Sequence, residues 1–266
     1  MDWLANQCAE PALAGRLQDT AKAALTSIPP QDLNASGVGH VRYPLASLVY
    51  GHVPETAARA QQTARQALGG FEADGSMRYH PQAGGTDYSK THFTNEASGF
   101  TSRAVADLLE AAAFCGDREL LDAALARLCG MDKFRHGVPR GAQTWEIPLH
   151  TPDIMASAHM VRAYALGYEL TGERAFLEKA SYWAWTGVPF VYLVNPTPQS
   201  VGAYATIAVF GATNWRAPVW LGLPVQWCGL VYADALYRLV RHDPKGPWKQ
   251  LADGITLSGI QQSWPP

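Results

Sequence analysis

Cysteine is scarce in this chain. Its four cysteines, Cys8, Cys115, Cys129 and Cys228, are widely spaced and form no Cys-x-x-Cys pair. That argues against a zinc ribbon or a disulfide framework, and neither a metal nor a cofactor is expected. Charge is also sparse. Charged residues make up 17% of the chain, and Lys and Arg (21) do not outnumber Asp and Glu (23). A net charge of −2 speaks against a general nucleic-acid binder, which carries a basic surplus. No run of Lys and Arg suggests a membrane-surface patch, and no window approaches the ~18 uninterrupted apolar residues of a membrane-spanning helix. The opening "MDWLANQCAEPALAGRLQD" is acidic and polar-interrupted, so it lacks a basic and then apolar secretory leader. Without one the chain reads as cytoplasmic, or as exported if it is a piece of a longer protein. Alternation with period 2 is nearly absent, which removes most all-β architectures.

What remains is a 266-residue chain, 47% hydrophobic, with nine Trp and eleven Tyr, and it is read as a single domain over residues 1–266. Apolar spacing of three and four residues predicts helices over Glu55–Leu68, Ser98–Cys115, Glu119–Leu128, Asp153–Leu170, Arg174–Trp185, Val225–Val240 and Trp248–Leu257. A weaker helix falls between Pro11 and Ile28, and a short one after Pro44. Gly and Pro punctuate the long connections "GGFEADGSMRYHPQAGG", "GMDKFRHGVPRG" and "NPTPQSVG". In the first of these Asp74-Gly75 suits a small β-hairpin. The run "YATIAVF" suits a lone strand.

Two helix pairs repeat one another. "CGDRELLDAALA" and "TGERAFLEKASYW" share Gly-[Asp/Glu]-Arg-x-x-Leu-[Asp/Glu]-x-Ala, and "VYADALYRLVRHDPKGPWKQLADGI" has the same layout with Asp243 at its turn. Turns within a pair are short and links between pairs are long. Stacked helical hairpins with long loops gathered at one end describe an all-α toroid with minor β content. The hairpins "YELTGERAFLEKASYWAW" and "CGDRELLDAALA", with the Trp-rich loops between hairpins, resemble the six-hairpin glycosidase superfamily. These are (α/α)6 toroids found among glycoside hydrolases, polysaccharide lyases and sugar epimerases. Fewer hairpins are countable than a full ring holds. The chain is then a shortened toroid, or one that closes with further hairpins or a second copy.

The resemblance implies a carbohydrate-active enzyme whose partner is an oligo- or polysaccharide. Glycoside hydrolysis needs two carboxyls flanking the scissile bond. The loop carboxylates are Asp87 in "GGTDYSKTHFTNE", Glu96 at its end, Glu146 in "QTWEIP" and Asp153 in "HTPDIM". Glu146 beside Trp145 is the first choice as acid, since an adjacent indole excludes water and raises a carboxyl's pKa. Asp87 or Asp153 would be the base. Asp153 also has a structural reading, with Thr151 as N-cap and Pro152 at the first helical position. Glu96 likewise sits behind possible caps Thr94 and Asn95. Tyr88, His92 and His150 are polar groups for holding substrate, while His159 reads as a core histidine. Asn214, Trp215, Arg216, Trp220 and Trp227 interleave aromatic faces with hydrogen-bond donors, as sugar sites do. Two alternatives stay open. One is β-elimination from a uronate by Tyr and His, with Asn95, Arg140 or Arg216 neutralising the acid. The other is a non-catalytic helical scaffold.

Overall fold

A computed structural model describes residues 8–27, 37–38, 41–42, 53–81, 83–84, 94–144, 147–196, 202–210 and 224–263. These residues fall into two compact units, 1–62 and 63–266. The first holds helix α1 (Pro11–Thr26) and an antiparallel pair of two-residue strands, β1 (Gly37–Val38) and β2 (Val41–Arg42). Helix α2 (Val53–Leu68) runs across the boundary. The short helix expected after Pro44 lies outside the described residues.

Among the described residues, the second unit holds three helical hairpins, at the three places where the sequence repeats. They are α3 (Ser98–Cys115) with α4 (Arg118–Gly130), α5 (Ile154–Thr171) with α6 (Arg174–Gly187), and α7 (Gln226–Val240) with α8 (Trp248–Gln262). The first members pack side by side, α3 on α5 and α5 on α7, while α4, α6 and α8 each back their own partner. This double layer of helices is the α/α-toroid arrangement, and the chain is all-α but for small β contributions. The shared Gly-[Asp/Glu] turn has a backbone cause. Gly116 (φ 64°) and Gly172 (φ 74°) both end a helix in the left-handed conformation that a Cβ penalises. The acid after the glycine is less uniform: Asp117 caps α4 through Leu120 N–H (3.0 Å), whereas Glu173 makes no side-chain cap.

Helix α5 is the centre. Between Ile154 and Gly167 only Arg162 escapes full burial, as befits a helix apolar nearly all round. Arg162 is spent on ion pairs to Glu110 and Asp107 of α3. Arg238 of α7 reaches Glu110 (3.1 Å) and Glu169 of α5 (3.0 Å), so one charge network stitches all three inner helices together. Small residues let these helices approach closely. A Cβ on Gly99 of α3 would lie 2.6 Å from Ala156 Cβ and 2.8 Å from Ala142 Cβ, inside any real contact.

The expected β-hairpin at Asp74-Gly75 is a tight turn closed by one bridge, Phe71 to Met77, with Gly75 at φ 81°. "YATIAVF" is not a strand. Thr206, Ile207 and Val209 instead make single bridges to Val191, Pro224 and Asp153. The cause is that the run divides its pairing among three segments, 190–192, Pro224 and Asp153, so no continuous ladder forms.

Gly99→Ala is expected to lose about 1–3 kcal/mol to overpacking, although Ala is the better helix former. Urea denaturation measures this, and an unchanged or higher midpoint would contradict the contact.

Candidate functional site

Antiparallel hairpins bring the N-terminal ends of α3, α5 and α7 to one end of the second unit, and the long loops meet there. Isolated bridges fold each loop on itself, Arg78 to Glu96, Arg140 to Pro152, Thr206 to Val191 and Ile207 to Pro224, and one, Asp153 to Val209, joins the second loop to the third. Two side chains organise the meeting. Asp153, with no exposed surface, accepts Ala156 N–H (2.8 Å) and Ala142 N–H (2.9 Å). Its carboxylate thus caps α5 and pins the preceding loop at the same time. Arg140 donates to the carbonyls of Glu96 (2.9 Å) and Leu149 (3.0 Å) and to Thr94 Oγ1 (3.4 Å). Its own carbonyl accepts Gly99 N–H (2.9 Å), satisfying a donor in the first turn of α3.

Both capping expectations need correction. The N-cap of α5 is Asp153 itself, not Thr151, and Pro152 stands outside the helix in the bridge to Arg140. Thr151 is pulled away because its N–H turns back onto Pro148. At α3 neither Thr94 nor Asn95 caps. The cap position is Ala97, which has no side-chain acceptor, and the 138–140 loop supplies the bond instead. Thr94 Oγ1 donates to Glu96 O (3.1 Å).

Freed from any capping role, Glu96 faces a cleft of about 320 Å³ lined by Asp74, Arg78, Thr94, Asn95, Glu96 and Lys133. Lys133, on the 3-10 turn Met131–Phe134 that follows α4, bridges the two acids. It pairs with Asp74 Oδ2 and with Glu96 Oε2 (2.7 Å). Ser76 Oγ lies 2.7 Å from Asp74 Oδ1 and 2.9 Å from Glu96 Oε2, and its single hydrogen serves one acid at a time. Lys133, then Ser76, hold the Asp74 carboxyl far below the usual carboxylate range. Asp74 is therefore an ionised acceptor, not a proton donor. The wall offers oxygens that accept from hydroxyl groups, together with the amide of Asn95.

Of the other expected site residues, Asp87, Tyr88, His92, Trp145, Glu146, Asn214, Trp215, Arg216 and Trp220 lie outside the described residues. Gln143 and Ile147 are buried, and Ile147 N–H donates to Gln143 O (3.2 Å). His150 is half-buried in the turn before α5, and Trp227 is 40% exposed on the first turn of α7. His159 is buried within α5. Asp74 and Lys133 were not singled out by the sequence. Asp74 carried a turn explanation and Lys133 sat in a loop, and only the fold brings residues so far apart in sequence onto one cleft. Among the described residues no group of three or more His, Cys, Asp or Glu is gathered as a metal would need. No described helix is long and apolar enough to cross a membrane.

No family model matches the chain, and no curated protein matches it in sequence. A solved structure does match in fold: an Asp-to-Asn variant of an unsaturated glucuronyl hydrolase with the oligosaccharide dGlcA-Glc-Rha-Glc, at a TM-score of 0.52 and 16% identity. The match covers 79% of this chain and 58% of that one, so this chain spans little more than half the length of its neighbour. The likeness establishes the α/α-toroid fold.

Burial pushes the Asp153 carboxyl up to about 7, only partly offset by donors from Ala142, Ala156, Gln143 and Gly141. Its ordinary value is about 4. Between those limits the unfolded chain releases a proton that the folded chain retains, so the proton-linked part of Asp153's contribution is full below about pH 4 and lost by about pH 7. Asp153→Asn cannot titrate. The stability gap between wild type and this variant is expected to shrink as pH rises from about 4 to about 7 and to stay flat above. Denaturation series across that range measure it, and a gap that widens with pH would contradict the reading. Asp153→Ala is expected to cost about 2–4 kcal/mol, because two buried N–H groups lose their acceptor.

Proposed function

We propose that this chain is a carbohydrate-active protein of the six-hairpin glycosidase type, cleaving glycosidic bonds of an oligo- or polysaccharide by carboxylate acid/base hydrolysis. The observation that carries the reading is the cleft walled by Asp74 and Glu96 at the end where the inner helices begin and the long loops converge. Ionised oxygens and an amide suit the hydroxyls of a sugar. The α/α-toroid fold hosts such chemistry but does not by itself assign it.

Asp74 and Glu96 bind rather than catalyse in this reading. A general acid must hold a proton near neutral pH, and Asp74 is kept ionised by Lys133. Lys133 also pairs with Glu96. The acid in this reading is Glu146, which follows Trp145 directly in the sequence, and the base is Asp87. Asp153 remains a positioning residue, because a fully buried carboxyl that caps α5 has no surface for substrate. Trp227 offers an exposed aromatic face for a sugar ring.

A glycan screen with product analysis tests the reading. Saturated reducing sugars are expected. Products that absorb in the ultraviolet through a new double bond would show elimination instead. Glu146→Gln is expected to lower hydrolysis by roughly 10²–10⁴-fold with the melting transition nearly unchanged. Wild-type turnover in that variant would remove Glu146 as the acid.

A further inference from the structure

The charges around the cleft say which sugars it favours. Each described cation at or beside it already serves a protein acceptor. Lys133 is divided between Asp74 and Glu96. Arg78 Nε pairs with Glu72 Oε1 (3.2 Å). Arg140 is half-buried behind Thr94, with one amino group spent on the carbonyls of Glu96 and Leu149. Among the described residues four cleft-lining groups carry charge, the acids Asp74 and Glu96 and the bases Arg78 and Lys133, so the described wall has no positive surplus. Glu72 adds a further negative charge beside Arg78.

From this balance we infer that the cleft selects an uncharged, hydroxyl-rich glycan and discriminates against uronate chains. The inference rests on the carbohydrate reading above and narrows its substrate class. A sugar hydroxyl donates to the free lone pairs of Asp74 or Glu96 without disturbing Lys133. A uronate carboxylate brings a negative charge towards two acids, and the described cations it meets are already engaged, Lys133 and Arg78 by acids and Arg140 by carbonyls. Like charges at close range oppose binding, and salt screens that opposition.

Calorimetric titration tests this with two panels on the intact protein. Cello-, xylo- and manno-hexaose form the neutral panel, and the hexamers of galacturonate, glucuronate and mannuronate form the acidic one. At low salt the tightest neutral ligand is expected to bind at least about tenfold more tightly than the tightest acidic one. Raising the salt should narrow the gap. Glu96→Gln should narrow it as well, by removing one negative charge from the wall. Equal binding, or an acidic ligand in the lead, overturns the inference and leaves the carbohydrate reading standing. Binding of neither panel overturns both.

Discussion

Helix α5 needs an acceptor at its N-terminus, and the loop before it needs an anchor. One carboxylate meets both needs. Asp153 takes the N–H of Ala156 inside the helix and of Ala142 in the loop, while its own N–H donates to Pro139 O (3.0 Å). The next residue, Ile154, donates to Ala208 O (3.1 Å), which brings in the loop before α7. Because α5 is the inner helix packed by α3, α6 and α7, fixing its first turn fixes the end of the unit at which every long loop arrives.

The cleft inherits its shape from that arrangement. The 138–140 segment is held against α3 by Asp153 N–H on one side and Gly99 N–H on the other. Arg140 then grips the carbonyl of Glu96 and the hydroxyl of Thr94, and so sets the backbone from which Glu96 extends towards Lys133 and Ser76. A buried carboxyl of raised pKa is often read as catalytic. Here the same signature belongs to a structural latch, because burial does the raising and backbone donors take the oxygens. Asp74, which lines the cleft, is instead held well below the usual carboxylate range by Lys133.

Much of the fold was legible in the sequence. Three- and four-residue spacing placed α3 with the bounds observed and the other inner helices within a residue at each end, because these helices are apolar over most of their surface. The Gly-[Asp/Glu]-Arg repeat located the hairpin turns, since a left-handed C-cap asks for glycine. Caps were less legible. Thr151 and Thr94 have the right chemistry, yet contacts from remote loops displaced them, and spacing says nothing of those contacts. The cleft was the least legible part. Asp74, Glu96 and Lys133 each have an ordinary local explanation, and only the packing of α3 beside the end of α4 makes them one cluster.

Residue-resolved amide hydrogen exchange in wild type and Asp153→Asn tests the latch most directly. In the wild type, Ala142, Asp153, Ile154 and Ala156 should exchange only through global unfolding. In the variant, Ala142 and the 206–210 loop should open locally while α6 and α8 keep their protection. Fast exchange at Ala142 in the wild type, or unchanged protection in the variant, would contradict the account.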